Sequence, residues 1–339
     1  MIRPFSRALL AFAVWGAHAA RAQQPALVVL NKTDATASLI ALADGKTLAT
    51  MPVGEAPHEV AVSPDGRWAV AANYGAQTPG SSLTVLDLRA RKATRTIDLG
   101  EYRRPHGIAW LPDGKRLLVT SETNQLLMIV DFAAGRVERI IRMNVPGTHL
   151  FALSKDGRRA WTSNIGAGSN SLVDLDKGEV LKTVVTGRGP EPIDLSPDGR
   201  EVWTGDNQLD RLTVLDAATL DSLATLPAGG RPNRIHFTRD GRWVFESNLR
   251  SGTVNVYDPR ARKLVETITF PADSSRTSPT AAGAPGQPAP EGILMSPDGT
   301  RVWVALSGLD RIAEIDIATR KIVRYIETGR GPDGMGYVP

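Results

Sequence analysis

Short apolar runs alternate with polar and turn-forming residues along almost the whole chain. "VAV" (60–62), "WAVAANY" (68–74), "LTVLD" (83–87) and "ATRTIDLG" (93–100) follow one another, separated by Gly-, Pro- and Asp-rich joints. Brief runs bounded in this way read as strands. The joint "SPDG" has proline preset for the second turn position and a glycine free to take positive φ, so it predicts a tight hairpin. Each stretch of about forty residues therefore reads as four strands: an apolar run before the turn, a second strand after it, a third ending in Asp, and a fourth leading to a Gly-x-x-Pro-like step.

The Asp of each D-G turn is a ruler. It falls at Asp65, Asp113, Asp156, Asp198, Asp240 and Asp298, with spacings of 48, 43, 42, 42 and 58. A period near 42 is the length of one four-stranded propeller blade. Residues 26–54 supply three strands without a first one, and residues 331–339 supply a first strand alone. Together they predict a composite seventh blade, so the expected fold is all-β: a seven-bladed β-propeller of four-stranded blades, its last blade shared between the chain ends. The longest interval contains "ADSSRTSPTAAGAPGQPA" (272–289), a Pro/Ala/Ser insert whose composition predicts a disordered loop. The six tryptophans beyond the leader lie in first or second strands and are expected to pack between blades.

The N-terminus changes the charge picture. Arg3 and Arg7 precede an apolar run from Ala8 to Ala17, and Ala20-Arg21-Ala22 offers small residues for cleavage. This is the pattern of a secretory signal peptide over 1–22, with a run too short to span a bilayer, leaving a propeller domain over 23–339. The formal net charge of +4 loses three arginines with that leader and becomes +1. Nothing then calls for nucleic acid or anionic lipid. No membrane span is expected, and the protein is placed in the periplasm or outside the cell, as a monomer. Cysteine is absent, which removes disulfides, a thiolate nucleophile and covalent haem attachment.

"VAVSPDGRWAVAANY", "LTVLDL" and "VGEAP" resemble the YVTN-repeat β-propellers, a family related in shape to lactonase-type and cytochrome d1-type propellers. The resemblance covers nearly all of the chain after the leader. It implies the fold and an exported setting, and leaves activity open, because members include binding, structural and enzymatic proteins.

Candidate chemistry sits seven residues before each ruler Asp, directly after the proline or threonine that opens the blade. These positions hold His58, His106, His149, Glu191, Asn233 and Glu291, with Asp333 from the terminal strand. Seven polar side chains at one repeat position predict a ring at one mouth of the central channel. Two readings compete: a solvated mouth that tolerates any polar residue, or a site where His58, His106, His149, Glu191, Glu291 and Asp333 hold a divalent metal or contact a small ligand. Eight residues after each Asp stand Asn73, Ser121, Asn164, Asp206, Asn248 and Leu306, with Asn31 in the N-terminal fragment; Asn73, Asn164, Asp206 and Asn248 are candidates to support the bound group. His236 and Glu246 are expected to face each other as a structural pair. Arg104, Arg188, Arg231 and Arg330 precede blade-opening prolines, which raises an anionic ligand at that face.

"GRGPDG" (329–334) matches a dinucleotide fingerprint by letter, but no helix can follow it. Asn31-Lys32-Thr33 is a glycosylation sequon by letter. The expected function is an exported binding protein with a channel site for a metal ion or small molecule. The alternatives are a metal-dependent lactonase- or lyase-type enzyme and a scaffold for another exported protein.

Overall fold

The computed structural model describes residues 24–276 and 285–339. The leader 1–22 lies outside the described residues. What is described forms seven four-stranded antiparallel sheets, with no helix among them. Blade 1 runs Pro57–Val62, Trp68–Asn73, Ser82–Asp87, Lys92–Asp98, and the following five blades repeat that order. Blade 7 places Pro332–Val338 beside Ala26–Asn31, then Thr36–Ala41 and Thr47–Pro52, so the composite blade is as expected. The innermost strands touch in a closed cycle around the channel. This is a seven-bladed β-propeller.

The ruler turn folds as its letters dictate. In blade 1 the Gly66 N–H donates to the Ser63 carbonyl, Gly66 takes φ 66°, and Asp65 accepts from the Ser63 hydroxyl and the Arg67 N–H. Between blades the core is apolar: Trp161, Trp203 and Trp303 are buried, while Trp68, Trp110 and Trp243 are partly buried. Indole N–H groups also link neighbours, from Trp110 to the Ala61 carbonyl at 3.1 Å and from Trp161 to the Ala217 carbonyl at 2.8 Å.

Two local devices aim the channel residues. First, each inner strand carries a register shift at its start. Pro57 pairs with Asn73 and Val60 with Ala71, so His58 and Glu59 together oppose one residue, and the other blades repeat the irregularity. An inserted residue of this kind bends a strand and re-aims its side chains. Second, the residue eight after the ruler Asp grips the incoming loop. Asn73 accepts from the Gly54 N–H at 3.0 Å, Asn31 from Gly329 at 3.1 Å, and Asp206 from Arg188 at 2.6 Å. A Cβ on Gly54 would lie 2.3 Å from Asn73 Cγ, which is why the step into a blade begins with glycine.

The insert 272–289 is described only at its ends. Residues 277–284 lie outside the described residues, but both ends are anchored. Asp273 donates its N–H to the Gly286 carbonyl and accepts from Arg311 at 2.7 Å, and Arg276 pairs with Glu327. The sequon is not available in the fold, because Asn31 is buried and its amide donates to Thr36 and Ser38.

Closing the ring through the last strand has a measurable cost when broken. Met335 packs with Leu27, Val29 and Trp303, so Met335→Ala should destabilise by about 2–5 kcal/mol. Deleting 332–338 should abolish the single cooperative denaturant transition followed by tryptophan fluorescence. An unchanged midpoint in either variant would refute closure by this strand.

Candidate functional site

All seven residues after the blade openers meet at one end of the channel, around a cavity of about 120 Å³. The ring is not a solvated mouth. His106, His149, Glu191, Asn233, Glu291 and Asp333 are all buried, and His58 is partly so. Ionisable groups taken out of water need partners, and the partners divide the ring into two halves.

The first half is aromatic. The His58 and His106 rings lie 4.8 Å apart and those of His106 and His149 3.9 Å apart. His58 stacks on Tyr74 at 4.6 Å, whose ring also carries the Arg104 guanidinium. His58 Nδ1 lies 2.9 Å from the Ala56 carbonyl, and burial together with the Lys32 charge lowers its pKa to about 4. Burial and the neighbouring imidazoles hold His106 well below the usual histidine range. His149 goes the other way. Burial pushes it down, but the hydrogen bond to Glu122 at 2.8 Å and the Glu191 carboxylate outweigh that and lift it to about 9. His149 Nε2 is 3.9 Å from Glu191, too far for a hydrogen bond, so His106 Nδ1 and His149 Nε2 are buried nitrogens without one.

The second half is a lattice of internal ion pairs. Lys32 bridges Glu291 and Asp333, and Ser307 donates to Glu291 at 2.8 Å. Burial raises Glu291 to about 7 against the pull of Lys32; burial also opposes ionisation of Asp333, but Lys32, His58 and Arg234 bring it to about 2. Glu191 accepts from Asn207 and, at 2.6 Å, from Asn233. Arg234 reaches across the channel to Glu59 of blade 1.

Lys32, Tyr74, Glu122, Asn207, Ser307, Glu59 and Arg234 are contributors that the sequence reading missed. The first five occupy one repeat position, nine after the ruler Asp or its equivalent, and the last two stand six before it. The supporting residues sought one place earlier are elsewhere: Asn73 and Asp206 grip loops, Asn164 donates to Ser169 and Ser171, and Asn248 packs on Gly229. None of these four lines the cavity. A one-residue shift in a strand reverses the face presented.

The His236–Glu246 pairing is corrected. Register sets His236 against Phe245 and Glu246 against Ile235, so the two point to opposite faces. His236 instead lies 3.4 Å from Asp194 of blade 4. Glu246 is fully buried, accepts from Tyr257 at 2.9 Å, and is raised to about 7 by burial. Of the four arginines, Arg231 lines the cavity, Arg330 pairs with Asp34, Arg188 is exposed, and Arg104 is spent on Tyr74 and the carbonyls of Gly75 and Ala76.

The His149 shift is a stability term with a defined sign. Its folded pKa of about 9 lies above the unfolded value near 6.5, so its contribution is complete below about pH 6.5 and is lost as pH rises through 9. Glu122→Gln removes the hydrogen-bonded charge and should bring the His149 titration well below 9, read from its ring resonances by NMR. A titration that stays near 9 would show that Glu122 does not hold the proton.

No family model matches the chain, and no curated protein does. Among solved structures it is similar to Kuenenia stuttgartiensis hydrazine synthase, at 18% identity and a TM-score of 0.68, covering 82% of this chain and 88% of that one. It is also similar to a functionally unknown protein from Desulfotomaculum acetoxidans DSM 771, at 15% identity and a TM-score of 0.73, covering 92% and 98%. At these identities the likeness shows the propeller fold and nothing finer.

Proposed function

We propose that the protein is an exported, monomeric binding protein whose channel cavity takes up a transition-metal ion on His58, His106 and His149, without turnover. The observation that carries this reading is the contiguous imidazole stack with two buried nitrogens, His106 Nδ1 and His149 Nε2, that have no hydrogen-bond partner. Neutral imidazole suits zinc, copper, nickel or iron. Among the described residues no three His, Asp or Glu side chains already converge as a metal set. Uptake therefore requires the three rings to turn about χ1 and χ2. Glu191, Glu291 and Asp333 are engaged by Asn207, Asn233, Lys32 and Arg234, so in this reading they orient and balance charge and do not ligate.

Size supports an ion over a larger ligand. The cavity of about 120 Å³ is smaller than the roughly 300–1,000 Å³ of ordinary small-molecule sites. One observation favours the enzymatic alternative: Glu291, near pH 7, has the pKa of a general base. Its two oxygens are held by Lys32 and Ser307, which favours binding over proton transfer. Export rests on the leader 1–22.

Titration of the purified protein with zinc, copper and nickel by calorimetry should show one ion per chain, and His58→Ala/His106→Ala/His149→Ala should remove it. Binding must displace the His149 proton, which Glu122 and Glu191 hold beside His106. Affinity should therefore rise about tenfold per pH unit from pH 6 to 8 and level above 9. His58 and His106 are neutral throughout that range and add no slope. No uptake by the wild type, or affinity that ignores pH, would defeat the reading.

A further inference from the structure

We propose that Arg234 is a built-in cation seated in a latent divalent-cation site whose oxygen donors are Glu59, Glu191 and Asp333. The inference concerns the carboxylate half of the cavity and stands whether or not the imidazoles take up a metal.

One guanidinium collects carboxylates from three other blades. Arg234 Nε and Nη2 donate to Glu59 Oε1 at 2.9 and 2.5 Å, Nη1 lies 3.6 Å from Glu191 Oε1, and Nη2 lies 4.0 Å from Asp333 Oδ1. Nη1 also donates to the Asn233 carbonyl at 2.7 Å and its side-chain oxygen at 3.3 Å. Five oxygens therefore surround one positive group, all from the hard, oxygen-only set that calcium takes. Arg234, Glu191 and Asp333 are buried, and Asp333 Oδ1 has no hydrogen-bond partner, so it faces the guanidinium as an unfilled acceptor.

The repeat shows how unusual the residue is. The same position holds Glu59, Gly107, Leu150, Pro192, Gly292 and Gly334 in the other blades, and blade 5 alone places a cation there. Its single charge faces three carboxylates, with Lys32 sharing Asp333. A divalent ion would carry one charge more in the same place. Calcium–oxygen distances of about 2.3–2.6 Å require the Glu191 and Asp333 oxygens to close in by roughly 1–2 Å, with water completing the shell. While Arg234 is present the site is filled, so calcium and magnesium have no place in the wild-type cavity.

The test uses the whole chain and calcium alone. Arg234→Ala removes both the charge and the bulk, opening the space and leaving buried carboxylates uncompensated. In EDTA it should melt below wild type. Calcium at about 10⁻⁴–10⁻³ M should raise its midpoint and bind one per chain by calorimetry, while the wild type responds to neither. Arg234→Ala/Glu59→Gln/Asp333→Asn should lose the response. The proposal is overturned by any of three results: an Arg234→Ala chain that folds no better in calcium than in EDTA, a wild type that responds equally, or a triple variant that still responds. Zinc uptake by wild type is read separately, so either reading can fail alone.

Discussion

The extra residue at the start of every inner strand is the constraint on which the site depends. Without that register shift, the residue after the blade opener would keep the plain alternation of the strand and pack against the second strand. With it, His58 and its six equivalents are driven to the channel axis. Closure of the blades then takes these groups out of water. A propeller built this way must pair the charges among them, because an isolated buried charge costs more than the fold can spare. The chemistry of the cavity follows from that demand.

Charge in the cavity is balanced internally, and the manner of balancing narrows what can enter. Lys32 and Arg234 pair with Glu291, Asp333 and Glu59, while Asn207 and Asn233 satisfy Glu191. The three imidazoles, expected to ligate with Glu191, Glu291 and Asp333 around them, keep two buried nitrogens without a hydrogen bond, while each carboxylate already has an ion pair or hydrogen bond. The same proximity sets the titration behaviour. His58 and His149 share a repeat position, yet one is held near 4 and the other near 9, because Lys32 stands near the first and Glu122 and Glu191 near the second. Repeat position decides where a side chain points, and its neighbours decide what it does.

The fold was legible because its signals are local and repeated. Turn letters, strand lengths and a 42-residue period each specify backbone geometry directly, and Met335 and Val338 complete the blade that the N-terminus begins. The post-proline ring was legible for the same reason. The rest was not, and the failure has a physical source. Lys32, Tyr74 and Glu122 stand one residue beyond the strand position that was read, and at the end of a strand alternation gives way to the turn. The Asn and Asp residues at the preceding position looked like ligands, but Asn73 and Asp206 grip backbone, and the glycines that they touch were the available clue. Arg234 was hidden differently. Its meaning lies in Glu59, which is 175 residues away in sequence and across the channel in space.

Blade 5 concentrates the departures from the repeat. It places Asn at the ring position, Arg234 behind it, His236 where blades 1 to 3 carry alanine, and Glu246 in place of Ala71 or Val119. Arg234, His236 and Glu246 are polar where most other blades are small or apolar, and three of the four reach another blade or the channel. Arg234 ties to blade 1, Asn233 to Glu191 of blade 4, and His236 to Asp194 of blade 4. Glu246 stays within its own blade, held by Tyr257 and Asn248. A repeat that needed only to close would gain nothing from these substitutions, since apolar packing between blades already supplies the closure. Of the four, Asn233 and Arg234 line the cavity, and Arg234 is the charge that the strands of blade 5 add to a set otherwise supplied by the other blades.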